Sequence, residues 1–145
     1  LQIEHAVTLN GEAELLRRAF ENITRNAIRH APPKTRVELR LSLRESDVTV
    51  SIRDHGPGVP QDYLEKIFRP FFRVDDDRSR TSGGVGLGLA IAHRAIGLHQ
   101  GRIQAMNASP GLLVTITLPH ATTMTTHDPR ITSEVQANAE AVTGT

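Results

Sequence analysis

The chain has 145 residues, a formal charge of +1, 38% hydrophobic residues and only 3% aromatic ones, which suits one domain whose core is Leu, Ile, Val and Ala, as in an α/β layer fold. It contains no cysteine, which excludes disulfides, thiolate metal sites and cysteine nucleophiles, and its balanced charge argues against a nucleic-acid surface, which needs a clustered basic stripe. No apolar run approaches the ~20 residues that cross a bilayer, so the piece reads as soluble, while a first residue Leu1 reads as a cut from a longer chain and leaves room for a membrane anchor elsewhere.

Gln2 to Thr8 alternates weakly and predicts a short strand. Asn10 then stands where a helix cap is expected, with Glu14 in the first turn, and the helix runs to about His30 with Leu15, Leu16, Ala19, Phe20, Ile23 and Ala27 on a core-facing stripe. Ala31, Pro32 and Pro33 end it. Arg36 to Leu43 and Val48 to Arg53 alternate apolar and polar residues about Glu45, Ser46 and Asp47, predicting a hairpin with one face buried. A short helix is expected near Gln61 to Ile67, followed by the aromatics Phe68, Phe71 and Phe72 and a polar segment from Asp75 to Ser82 that reads as mobile. Gly83 to Gly88 opens a second long helix reaching about His99, with Leu87, Ile91, Ala95 and Leu98 on one side. Two strands follow near Arg102 to Asn107 and Leu112 to Leu118, split at Ser109, Pro110 and Gly111. From Ala121 to Thr145 periodicity is lost, which predicts a disordered tail.

Three features carry chemistry. On the first helix Asn22, Asn26 and Arg29 fall within about 60° of arc at ~100° per residue, making a polar strip beside the apolar stripe; alone it reads equally as solvated helix polars. Asp54-His55-Gly56-Pro57-Gly58 follows a strand directly. Its aspartate suits the exocyclic amine of a purine and its glycines admit a flat ring, although by itself the motif reads as an ordinary Asp/Gly turn. Gly83-Gly84-Val85-Gly86-Leu87-Gly88-Leu89 opens into a helix whose first amides suit an anion. It lacks the glycine a dinucleotide fold wants at Leu89 and the lysine a P-loop wants there. It is therefore a phosphate loop of a third kind or a flexible hinge. The basic side chains are almost all arginine, since Lys34 and Lys66 are the only lysines, and arginine's planar fork suits phosphate.

In order, an Asn-x-x-x-Asn helix, Asp-x-Gly-x-Gly after a strand, an aromatic box and Gly-x-Gly-x-Gly before a helix resemble the N, G1, F and G2 boxes of bacterial sensor histidine kinases. That family lies in the ATPase superfamily shared with gyrase, the large heat-shock chaperone and MutL. The stretches Glu21 to Ala27, Ile67 to Arg73 and Ser82 to Ile91 resemble in particular its envelope-stress sensors, and the likeness covers residues 1 to about 119, leaving the tail from 120 without a counterpart. The resemblance implies a two-layer α/β (α+β) sandwich, with about three helices on one face of a mixed, mostly antiparallel sheet and a mobile ATP lid. It implies ATP and Mg²⁺ as cofactors. Asn26 would bind magnesium; Asn22, Arg29 and His30 would contact the phosphates or their water; Asp54 would take the adenine amine, with Gly56 and Gly58 beneath the base. Phe71 and Phe72 would anchor the lid, Arg73 would reach the γ-phosphate, and Gly84, Gly86 and Gly88 would wrap the phosphate chain, with Leu87 and Leu89 beside it. Asn22, Arg29 and Arg73 are the residues it casts as catalytic.

Hydrolases of this superfamily place a glutamate four residues before the magnesium asparagine, where it deprotonates water. Here that position is Asn22, and Glu21 points ~100° away round the helix. The implied activity is therefore transfer of the γ-phosphate to a histidine on a separate dimerisation domain of the same kinase. That histidine is absent from this piece: His5 sits in the expected strand, His127 in the tail, and His93 and His99 read as helix residues rather than ligands. The implied partners are that histidine phosphotransfer domain and a response regulator receiver domain, with no nucleic acid, and the parent would be a homodimer anchored in the inner membrane with this domain in the cytoplasm. The rivals are an ATP-sensing or scaffold module without phosphotransfer and, behind it, an ATP hydrolase of the gyrase or chaperone type. His55 suggests a pH influence, and Asp75, Asp76 and Asp77 beside Arg78 and Arg80 read as a solvated charge run.

Overall fold

The computed structural model describes residues 9–44, 46–74 and 85–120, so the strand expected over 2–8, the polar segment from Asp75 with Gly83 and Gly84, and the tail from Ala121 lie outside the described residues. Helix α1 spans Ala13–His30, strands β1 and β2 span Glu38–Leu43 and Asp47–Arg53, helix α2 spans Gly88–Leu98, and strands β3 and β4 span Arg102–Asn107 and Leu112–Pro119. The sheet order is β1-β2-β4-β3. The helix expected near Gln61 to Ile67 is instead two 3-10 turns at Gln61–Tyr63 and Lys66–Phe68, so the helical layer has the three parts expected. The mostly antiparallel sheet implied by the resemblance is present, and every pairing among its described strands is antiparallel, as short hairpins dictate for β1 with β2 and β3 with β4.

The core forms where β2 and β4 lie under the helices. Their inward residues face each other in register, Val48 opposite Leu118, Val50 opposite Ile116 and Ile52 opposite Val114, and all six are buried. Against them α1 sets Leu16, Ala19, Ile23 and Ala27, and α2 sets Ala92, Ala95 and Ile96; burying each Ile or Leu side chain contributes about 1.5–3 kcal/mol. Leu15 and Phe20 pack on this cluster only partly buried. The inner face of α2 differs from the expected one, since Ile91 and Leu98 are 47% and 63% exposed. Helix α2 carries apolar residues on more than one face, so periodicity did not single out one, and packing against α1 buries Ala92, Ala95 and Ile96.

Two further expectations are corrected. Strand β1 was expected to bury one face, but Leu39, Leu41 and Leu43 are 58%, 56% and 49% exposed, because β1 is an edge strand beyond the described helices. Asn10 does not cap α1, whose N-cap residue Glu12 offers no side-chain cap either. The Glu12 amide, one of the orphan donors of a helix start, instead donates to His99 Nε2 at 2.9 Å, while His99 Nδ1 meets the Ala95 carbonyl at 2.7 Å. A carbonyl only accepts and an amide only donates, so the ring is neutral with its proton on Nδ1. It ties the end of α2 to the start of α1. No described helix is long and apolar enough to cross a membrane. Replacing His99 by Ala is expected to lower stability by about 1 kcal/mol, the usual size of a lost cap, seen as a lower urea midpoint with an unchanged slope.

Candidate functional site

Strand β2 runs with strict alternation through Ile52 and Arg53 and delivers Asp54 to the end of the sheet with 3% of its surface exposed. Its backbone amide donates to the Leu112 carbonyl at 3.0 Å, continuing the pairing with β4. Its carboxylate Oδ1 accepts from the amides of Gly56 at 2.9 Å and Leu112 at 3.1 Å. Both bonds fall on one oxygen, which leaves Oδ2 as the remaining acceptor of a buried carboxylate. A buried charge is tolerated only when hydrogen-bonded or paired. The same loop closes on the end of α1, where a Cβ on Gly56 would stand 2.4 Å from the His30 carbonyl oxygen, so only glycine fits between Asp54 and the helix.

The polar strip of α1 lies as its spacing predicted. Asn22 and Asn26 are half-buried, Arg29 and His30 are exposed in the last turn, and among the described residues neither asparagine carboxamide makes a hydrogen bond. Gly88, the first residue of α2, lies beside Asn22, since a Cβ there would be 3.5 Å from Asn22 Oδ1. The first turn of α2 holds no acidic residue, and no side chain caps it; its free amides and the positive end of its dipole suit an anion. Glu21 faces away, bound to Arg17 on the outer surface of α1. Arg17 also binds Glu14 at 2.6 Å, and that hydrogen bond, with a second from Arg18, holds the Glu14 carboxyl down at about 2.

The aromatic box and the glycine run meet at one point. The Phe71 amide donates to the Gly86 carbonyl at 2.9 Å, with Phe71 at φ 63 and Gly86 at φ 77. Phe72 stacks edge-on against Tyr63 at 5.2 Å, whereas Phe71 is 69% exposed. Arg73 follows at the border of the described residues, and Leu87, Gly88 and Leu89 lead into α2; Gly84 lies outside them. The structure thus sets Gly88 beside Asn22 and the Asp54 loop, through Gly56, against the end of α1, which marks the space between α1, the start of α2 and the end of β2 as the candidate cleft.

His55 points the other way, its Nδ1 3.0 Å from the Arg36 carbonyl and its Nε2 3.5 Å from Glu38 Oε1. Desolvation pushes the Glu38 carboxyl up, but Arg36, Arg40 and His55 outweigh it and hold the group below the usual range. His93 rests on Phe68 at 5.7 Å. Sequence reasoning missed the residues that tie the Asp54 loop to β3 and to the turn between β3 and β4. Arg53 Nη2 donates to the carbonyls of Ala108 at 3.1 Å and Pro110 at 3.3 Å, and Asn107 is bonded to Val59. Nothing local signals a pairing across 48 or 55 residues.

Comparison with known proteins agrees with this geometry. The family model for histidine kinase-, DNA gyrase B- and HSP90-like ATPases matches residues 11–122, so the chain belongs to that family, on its sensor histidine kinase branch. It is 44% identical over 113 residues to the sensor histidine kinase CpxA of Escherichia coli strain K12, covering 77% of this chain and 24% of CpxA. It is 49% identical over 107 residues to the sensor protein PfeS of Pseudomonas aeruginosa, covering 73% and 23%; the chain thus spans about a quarter of these relatives. Among solved structures, the mycobacterial sensor histidine kinase MprB superposes with a TM-score of 0.70 at 33% identity over 77% of this chain and 76% of that one. Full-length ShkA in complex with AMPPNP superposes with a TM-score of 0.69 at 28% identity over 81% and 24%.

Because Asp54 serves the fold as well as the cleft, Asp54→Ala leaves two buried amides without an acceptor, at a cost of about 1–3 kcal/mol each. Asp54→Asn keeps an oxygen for them and presents a donor where Oδ2 stood. The Asn variant is expected to melt close to the parent yet lose at least ~10-fold in affinity for an adenine nucleotide, about 1.4 kcal/mol, measured by calorimetry alongside thermal unfolding.

Proposed function

We propose that this domain binds Mg-ATP in the cleft and transfers the γ-phosphoryl group to a histidine on the dimerisation domain of its parent kinase, from which a response regulator receiver domain takes it. The observation that carries the reading is the buried Asp54 carboxylate, with Oδ1 held by two amides and Oδ2 left to accept the adenine amine. Gly56 and Gly58 lie beneath the base. The phosphates lie along Asn22, Arg29 and His30, against the amides that open α2, with Gly84, Gly86 and Gly88 around them and Leu87 and Leu89 alongside. Phe71 fixes the base of the lid and Arg73 reaches the γ-phosphate.

The donor set suits magnesium. Mg²⁺ takes oxygen ligands and keeps several waters, and the Asn26 carboxamide is half-buried without a partner among the described residues. When bound, the ion neutralises the phosphate oxygens on which charge develops. The protein's own part is positioning and charge stabilisation: the bond from the β,γ-bridging oxygen to the γ-phosphorus breaks as the incoming imidazole nitrogen bonds to that phosphorus. Hydrolysis is disfavoured because Asn22 cannot take a proton from water and Glu21 is bound to Arg17 on the outer surface. The domain would comprise residues 1–119, in the cytoplasmic part of a membrane-anchored homodimer.

Titration of this chain with Mg²⁺ and a nonhydrolysable ATP analogue is expected to show saturable binding, with altered magnesium dependence in Asn26→Asp. No binding at millimolar analogue by a folded chain overturns the proposal in favour of a scaffold module. Asn22→Glu is expected to raise phosphate release from ATP above the parent's rate; an unchanged rate means that the absent base is not what protects ATP.

A further inference from the structure

The loop from Asp54 to Val59 is pinned at both ends, and the far pin is a side chain with no place in the proposed contacts to ATP. Asn107, the last residue of β3, uses its whole carboxamide on one residue: Oδ1 accepts from the Val59 amide at 2.9 Å and Nδ2 donates to the Val59 carbonyl at 2.7 Å. The side chain substitutes for a neighbouring strand, since a carboxamide carries the donor and acceptor of a peptide unit. Between the pins, Gly58 sits at φ 75, and a Cβ there would meet Asn107 Oδ1 at 2.6 Å. The support beneath is equally close. The Ala108 amide donates to the Gly111 carbonyl at 2.8 Å, and Gly111, at φ 100, lies so near that a Cβ would be 1.9 Å from the Asp54 carbonyl oxygen. Arg53 ties this turn down through Ala108 and Pro110.

Asp54 therefore has its carboxylate held by Leu112 from β4, while the far end of its loop, Gly58 and Val59, rests on Asn107 from β3. We infer that Asn107 is a positioning residue for the nucleobase: it sets Gly56 and Gly58 at the depth that lets a purine lie flat while its amine reaches Asp54. The inference rests on the proposed ATP site. Asn107 lies at the exposed end of β3 and acts through Val59 and Gly58 rather than by touching ligand.

The test uses the 145-residue chain with Asn107→Ala and Asn107→Asp, the latter keeping an acceptor for the Val59 amide but setting oxygen against the Val59 carbonyl. Both are expected to bind the nonhydrolysable ATP analogue ~5–10-fold more weakly, on the scale of one or two lost hydrogen bonds. Hydrogen exchange at the Val59 amide is expected to accelerate in Asn107→Ala. The deciding arm is a double-mutant cycle with Asp54→Asn, in which Asn107→Ala should cost little more once base recognition is lost. Full-strength binding by either variant overturns the inference, and so does an equal loss in the Asp54→Asn background, which marks a general brace. If the folded parent chain itself binds no analogue, the ATP reading fails first and the inference with it.

Discussion

The site depends on a single oxygen. Asp54 Oδ1 accepts from Gly56 on its own loop and from Leu112 at the start of β4, so the residue that ends β2 also fixes how β4 begins and where the glycine loop turns. A buried carboxylate needs such donors to be held in one orientation. With them it stays in place and keeps a second oxygen with directional acceptor capacity. On the proposed reading, stability falls to one oxygen of this side chain and recognition to the other, which is why removing the whole carboxylate confuses the two and exchanging it for an amide separates them.

Everything else in the cleft is placed relative to that point by small residues. Helices α1 and α2 pack against each other in the core, with Ala19 and Ala27 of α1 and Ala92 and Ala95 of α2 all buried, and Gly88 lies beside Asn22. Gly56 admits the His30 carbonyl in the same way. Larger side chains at these contacts would separate the polar strip of α1 from the amides of α2 and from the Asp54 loop. His99 also joins the far end of α2 to the start of α1, a second tie between the two helices.

Much of this was legible in the sequence because the signals are local. The stripe through Leu16, Ile23 and Ala27, the alternation in β2 and the Asp-x-Gly-x-Gly turn each carry their meaning within a few residues. What escaped was decided at a distance. Helix α2 had two apolar faces and tertiary contact chose one; β1 alternates like a half-buried strand but lies outside the described helical layer; the cap of α1 comes from a histidine 87 residues on. Asn107 reads as the last residue of a strand, and only the fold shows that its carboxamide is committed to Val59. The placement of Asn22 and Asn26 on one strip of α1 and of Asp54 just after β2 needed no such long-range information, which is why the candidate site residues could be placed from sequence and their supports could not.

The arrangement also bears on why ATP would survive in such a cleft. A hydrolase needs a base one helical turn before the magnesium ligand, and here that place belongs to a carboxamide, while the adjacent carboxylate of Glu21 is engaged by Arg17 on the opposite side of α1. Polarising the γ-phosphate without activating water leaves the reaction waiting for a nucleophile that needs no deprotonation on arrival. A neutral imidazole supplies a nitrogen lone pair and meets that condition; a hydroxyl or water does not. On the proposed reading Asn22 thus makes the choice of acceptor, since a carboxamide lacks the one group that would let solvent compete.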